Sequence, residues 1–108
     1  MLNRKTPETL ATNVTIKAPG DEFKVPVVFY NRSQADREAF LKSMLETEEG
    51  KKDMEHVNRE MFLYVVKEFD GKQPTYDGVK EAEANFPGLI LGVFTVFHEL
   101  RTVSVTKN

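Results

Sequence analysis

The two histidines are the first residues in this sequence that could carry chemistry. His56 and Glu60 are four residues apart, a spacing that places both side chains on one face of a helix. A zinc site needs three or four ligands, however, and the sequence contains neither Cys nor an H-E-x-x-H pattern. We therefore interpret His56 as a solvated surface residue and His98, next to Glu99, as a surface or helix-terminal residue. The sequence predicts no metal ion and no cofactor.

Three neighbouring carboxylates, Glu46, Glu48 and Glu49, are the second candidate for chemistry, as an acid–base pair. They lie beside Gly50-Lys51-Lys52 in the most hydrophilic part of the chain, where nothing would desolvate them and shift a pKa. No serine has a G-x-S-x-G context, and no glycine pattern is suited to phosphate. We therefore predict no catalytic residue. A small enzyme remains the alternative if a deep pocket aligns a histidine with carboxylates.

The methionines are candidates for binding. Met44, Met54 and Met61 fall on the apolar faces of two successive predicted helices. Methionine is flexible and polarisable, which suits surfaces that hold varied partners, although the same residues could simply fill a core. A hairpin edge interrupted by Pro26 could also receive a partner strand.

Composition indicates one globular domain, residues 1–108. The chain is 40% hydrophobic and 30% charged, with few Gly and Pro residues. Its net charge of −2 gives no electrostatic reason to expect binding to nucleic acid or to an acidic membrane. No segment has the length and hydrophobicity of a signal peptide or membrane span, so we expect a soluble cytosolic protein.

Residues 1–31 are predicted to form an arm and a β-hairpin. The segments NVTIK (13–17) and FKVPVVFY (23–30) alternate apolar and polar residues, and APGDE (18–22) supplies turn residues between them. Pro26 cannot donate a ladder hydrogen bond. The second strand should therefore be an edge at this point or be bonded only on its other side.

Residues 32–108 are predicted to be helical. Ser33 caps a helix from Gln34 to about Glu48, and Thr47–Asp53 is a solvated break with Gly50 as the terminator. Asp53 caps a second helix whose apolar face continues to Phe69. A short helix follows at Tyr76–Asn85, and residues 102–108 are a fraying tail or a short strand.

The most apolar run, Phe86–Leu100, is predicted to be the core helix, with Pro87 in its first turn. A strand competes with this interpretation because Val, Phe and Thr are β-formers. The predicted fold class is α+β: an N-terminal two-stranded β-hairpin followed by about four α-helices in a small, mainly helical domain.

Several short motifs in the second half of the chain occur together. The helix end VVKEFDG precedes a GKQPTY turn, a short helix ends in Phe86-Pro87-Gly88, and a long apolar helix ends close to Lys107-Asn108. In this order the segment from about Val65 to Asn108 resembles the small tail assembly chaperones of long-tailed bacteriophages. Phe69 stands where that family often has Trp.

The resemblance implies a non-enzymatic protein of the host-cell cytoplasm that is absent from the mature virion. Its partners would be the tape-measure protein and the tail-tube protein, and self-association into a homo-oligomer stays open. Exposed residues of the Met-bearing helices and of the C-terminal helix, including Phe94 and Phe97, would hold the client. The alternative is a small structural protein of the tail or of head completion that remains in the virion.

Overall fold

The computed structural model describes residues 1–107, which form three β-strands and five α-helices. This confirms the predicted α+β class and the N-terminal hairpin, with one more strand and one more helix than predicted. In chain order the elements are β1 (Thr9–Ala18), β2 (Asp21–Tyr30), α1 (Gln34–Leu45), α2 (Glu48–Lys52), α3 (Met54–Val65), β3 (Val66–Phe69), α4 (Tyr76–Asn85) and α5 (Leu89–Arg101).

Strands β1 and β2, each of ten residues, form an antiparallel hairpin that runs from the pair Thr9–Tyr30 to the pair Ala18–Asp21. Gly20 closes the turn with a φ of 78°, a conformation that glycine adopts without steric cost. Because side chains alternate across a strand, one face of the hairpin is apolar and covered by helices. Its buried members are Val14, Val25, Val27 and Phe29.

The third strand is a correction to the sequence prediction, which continued the preceding helix to Phe69. Helix α3 instead ends at Val65, and β3 pairs with β2 in antiparallel orientation, with Val66 opposite Phe29. The run is apolar on every side, so periodicity could not separate the helix from the strand. Pairing with the open side of β2 decides the conformation, and both Val65 and Val66 become buried.

Strand β2 is therefore the centre of the sheet, in the order β1-β2-β3. Of the two predicted alternatives for Pro26, the second is the one observed, because at Pro26 the β2 strand is paired only on its β1 side. The last β2–β3 pair is Val27–Phe69, and the Pro26 carbonyl accepts a hydrogen bond of 2.9 Å from the Asp70 N–H. The N–H and C=O of one strand residue point to the same side. The missing donor of Pro26 thus faces the place where β3 ends, and the β1–β2 ladder loses nothing.

Three helix boundaries also differ from the prediction. Helix α1 ends at Leu45, and the predicted solvated break contains α2, which is capped by Thr47. Gly50 is buried inside α2 and does not end a helix. The position requires glycine, because a Cβ there would collide with the Met44 carbonyl. Helix α5 starts at Leu89 after Gly88, whose φ is 92°, so Pro87 precedes the helix.

The core lies between the sheet and helices α3 and α5. Phe29 and Phe97 contact each other there with ring centroids 5.2 Å apart, and both are almost fully buried. Helix α5 supplies Ile90, Val93 and Phe97 to this core, and β2 supplies as many buried residues. None of the five helices in residues 1–107 has the length and hydrophobicity needed to cross a bilayer.

Residues 102–107 of the predicted tail form neither a helix nor a strand and are exposed. The last predicted tail residue, Asn108, lies outside the described residues.

Candidate functional site

Helix α1 is the element whose apolar side chains are least covered. It has a well-formed N-terminus, because the Ser33 hydroxyl accepts a hydrogen bond from the Asp36 N–H. None of its twelve residues is buried, however. Its apolar residues Phe40, Leu41 and Met44 are only half-buried, and Leu45 is exposed. A helix of this length depends on packing for its stability, so α1 is docked incompletely on the body of the protein.

A groove runs along the incompletely covered side of α1. Helix α1 packs on α2 and α3, and α5 packs on β1, α3 and α4, which leaves a channel between α1 and α5 with α3 beneath it. The groove has a volume of about 460 Å³. Its apolar lining is contributed by three helices and consists of Leu41, Met61, Val65, Phe94 and Phe97.

Polar groups mark the rim of this groove. Gln34, Arg37 and Glu38 come from α1, and His98 comes from α5. The Arg37 guanidinium lies 5.2 Å from the centre of the Phe97 ring, a cation–π distance that links the two walls. The Nε of Arg37 is buried and has no hydrogen-bond partner within residues 1–107. Burial lowers the pKa of Arg37, and the nearby Arg101 cation lowers it further.

The five predicted partner-binding residues separate into two groups. Met61 and Phe94 line the groove and are half-buried, while Phe97 forms its floor and is only 2% exposed. Met44 is half-buried near the C-terminus of α1, and Met54, 55% exposed, is the first residue of α3; neither lines the groove. The structure thus brings together Met61, Phe94 and Phe97. Phe97 is a supporting residue rather than an accessible one.

An aromatic stack that the sequence did not reveal holds α1 against α3. Phe40 stacks on Tyr64 with ring centroids 4.2 Å apart and planes 8° from parallel. The Arg32 guanidinium lies 4.3 Å from the Tyr64 ring and 4.5 Å from the Tyr30 ring, and its Nε donates to the Tyr64 carbonyl. The side chains come from four elements or loops, so no local spacing in the sequence signals this contact.

His56 is a further correction, because it is buried and not a solvated surface residue. It is 9% exposed, and its Nδ1 lies 2.7 Å from the Tyr76 hydroxyl and 3.5 Å from the Glu49 carboxylate. The Asp53 side chain caps α3 by accepting from the Glu55 and His56 N–H groups. This cap and the short helix α2 turn His56 inward, where Tyr76 of α4 covers it.

The polar groups of the groove are confined to its edge. His98 and Glu38 are both exposed at the rim, where water can solvate them, and the interior surface is apolar. Within residues 1–107 no group of three or more His, Cys, Asp and Glu residues is placed to hold a metal ion. An apolar channel with a few polar groups at its edge is typical of sites that hold an amphipathic helix.

Comparison with known proteins found no relative of this chain. No protein-family model matches the chain, and no curated protein or solved structure is significantly similar to it. The groove and the short motifs in the second half of the sequence are therefore the features of this protein that bear on its function.

Proposed function

We propose that this protein is a tail assembly chaperone of a long-tailed bacteriophage, without enzymatic activity. It binds an apolar helical segment of the unassembled tape-measure protein, keeps that segment soluble and brings tail-tube subunits to it. It acts in the host-cell cytoplasm and leaves before the virion is complete. The motifs between Val65 and Asn108 motivate the identity of the client, and the groove supplies a surface on which such a client could lie.

The observation that carries this proposal is the incomplete burial of α1. Leu41 of α1 lines the groove together with Met61 and Phe94, and all three side chains keep exposed apolar surface that the core leaves uncovered. Burying apolar surface is worth about 25 cal/mol per Å², so a client helix that covers this groove gains affinity without a chemical step. The half-exposed Met61 side chain can adjust to different client residues.

Arg37 adds a polar requirement to the client. Its buried Nε lacks an acceptor, and buried donors without partners cost free energy. The Arg37 guanidinium also places a positive charge at the rim of the groove, so we expect the bound segment to carry an acidic residue beside its apolar face. An Arg37→Gln variant should bind roughly tenfold or more weakly, because hydrogen bonds to charged groups contribute about 1.5–3 kcal/mol.

The test uses a tape-measure fragment from the genome that encodes this chain. The fragment is expressed alone, with the wild-type protein and with two variants, and its soluble fraction and affinity for the protein are measured. Leu41→Asp places a charge on the groove wall, whereas Ala39→Asp places the same charge on the exposed side of the same helix. We expect Leu41→Asp to lose solubilisation and binding, and Ala39→Asp to retain both.

Two results would contradict the proposal. The first is a tape-measure fragment that neither binds the wild-type protein nor becomes more soluble with it. The second is the presence of the protein in purified virions at a fixed copy number, which would favour the alternative of a small structural protein of the tail or head.

A further inference from the structure

The outer edge of β1 is an unused hydrogen-bonding surface. Strand β1 is terminal in the sheet, and no strand within residues 1–107 pairs with its outer side. The Glu8 carbonyl accepts from the Asn31 N–H, so Glu8 points toward the β2 side of the hairpin. Backbone groups alternate along an antiparallel strand, and the outward ones therefore belong to odd-numbered residues. These residues are Thr9, Ala11, Asn13, Thr15 and Lys17.

Natural edge strands are usually short, charged or interrupted by proline, because open edges recruit other strands. The β1 edge has ten residues, and Lys17 is the only charged residue within it. Proline stands only outside its two ends, at Pro7 and Pro19. An edge of this length and composition is suited to pairing with another strand.

We infer that the outer edge of β1 pairs with β1 of a second copy of this chain, antiparallel and centred on Asn13. In this register Asn13 faces Asn13 of the other copy, Ala11 faces Thr15, and Thr9 faces Lys17. All five outward residues of each strand then form hydrogen-bonded pairs, which gives roughly ten backbone hydrogen bonds across the two-fold axis. A six-stranded antiparallel sheet results.

The side chains of β1 fit this register on both faces of the sheet. On the helix-covered face, the half-buried Leu10 and Ile16 face each other across the interface, as do Thr12 and Val14. This pairing extends the apolar core face from one copy to the next. The two Lys17 side chains lie at opposite ends of the ladder, farther apart than a Debye length, so they do not repel each other.

The prolines that flank β1 favour pairing with β1 of a second copy rather than with a different strand. The same register sets Pro7 opposite Pro19 of the other copy, so proline terminates the pairing at both ends. A shift by two residues toward the turn would place Thr9 opposite Pro19, which has no N–H to donate, and would lose hydrogen bonds. The strand is thus most complementary to itself. The inference does not depend on the groove or on the proposed client.

The test exploits the absence of cysteine from the chain. Asn13→Cys places two thiols across the two-fold axis with Cα atoms about 5.5 Å apart, within disulfide range. Thr15→Cys lies on the same exposed face, but its two copies would be about 13 Å apart, since each step along a strand is about 3.3 Å. Under mild oxidation we expect a covalent dimer from Asn13→Cys and at least tenfold less from Thr15→Cys.

Light scattering across a dilution series provides the second measurement. The wild-type protein should reach twice the mass of one chain. Thr15→Pro removes an outward N–H without touching the β1–β2 ladder and should stay monomeric, whereas Thr15→Val keeps the N–H and should dimerise. Circular dichroism checks that each variant is folded.

Three outcomes would overturn the inference. They are a wild-type protein that stays monomeric throughout, equal cross-linking of the two cysteine variants, or loss of the dimer on deletion of residues 102–108. The last result would assign the dimer contact to residues 102–108 instead.

Discussion

Two glycines show at the scale of single residues why position matters more than residue type. A Cβ at Gly50 would collide with the Met44 carbonyl and approach the Thr47 hydroxyl at 2.8 Å, whereas a Cβ at Gly92 would meet nothing within 4 Å. Gly50→Ala should therefore destabilise the protein by about 1–3 kcal/mol, as overpacking usually does. Urea denaturation monitored by circular dichroism measures the change.

Gly92→Ala is the matched control in a helix interior. It should leave stability unchanged or raise it by up to about 1 kcal/mol, because alanine has the higher helix propensity. Equal destabilisation by both substitutions would show that the tight contact at Gly50 does not exist in solution.

The Tyr76 hydroxyl joins α3 to α4 through two contacts, with Nδ1 of His56 and with a guanidinium nitrogen of Arg59 at 3.4 Å. Tyr76→Phe keeps the ring and removes both contacts, leaving the buried imidazole nitrogen only the more distant Glu49 carboxylate, at 3.5 Å. We expect a loss of about 1–3 kcal/mol in the free energy of unfolding. A loss below about 0.3 kcal/mol would contradict the expectation that the His56–Tyr76 contact stabilises the fold.

Residue type alone could not have located these sites. Gly50 has the sequence context of a helix terminator, and His56 lies in a polar stretch that favours exposure. Gly50 is buried against the Met44 carbonyl at the end of α1, and His56 lies between Glu49 and Tyr76; the Thr47 and Asp53 caps set the path of the chain between them. Each cap is recognisable in the sequence, but their combined geometry is not.

At the scale of elements, the sequence predicts the hairpin and most helices because their periodicities are clear. β1 and β2 alternate strictly enough to define their buried face, and the predicted surface position of His98, next to Glu99, also agrees with the structure. Strand β3 was missed for a physical reason. MFLYVV has no polar face to set a period, so its strand conformation depends on pairing with β2, a tertiary effect.

Helix α1 should be the least stable of the longer helices. It has no buried residue, whereas α3 buries His56, Val57, Phe62 and Val65. Regions with few buried apolar contacts open at lower free energy than the global unfolding reaction. Hydrogen exchange should therefore be at least about tenfold faster at Leu41 than at Phe62, which corresponds to about 1.4 kcal/mol.

Client binding should reduce the difference in hydrogen-exchange rate between α1 and α3, because a segment in the groove would cover the apolar side of α1. Exchange in α1 as slow as in α3 before any client is added would contradict the view that α1 is docked incompletely.

At the scale of the whole molecule, the groove exists because α1 and α5, far apart in the sequence, both pack on α3 without closing over it. The sequence could nominate Met61 from its helical face and Phe94 from the family resemblance. It could not show that Met54 lies elsewhere or that Phe97 is sealed beneath the groove. Separating an exposed apolar residue from a buried one requires the relative positions of three helices, which no local pattern contains.

The groove and the β1 edge lie on different elements, so the two proposals fail independently. Loss of client binding in Leu41→Asp should leave the oligomeric state unchanged. Thr15→Pro should conversely keep the affinity of each protomer for the client.

The most direct test of the central claim is an NMR titration of the isotope-labelled protein with the tape-measure fragment. The account predicts saturable shift changes centred on the groove residues Leu41, Met61 and Phe94, with the exposed sheet residues Asn13 and Lys24 unaffected. No shift changes at any fragment concentration, or changes confined to surfaces outside the groove, would contradict it.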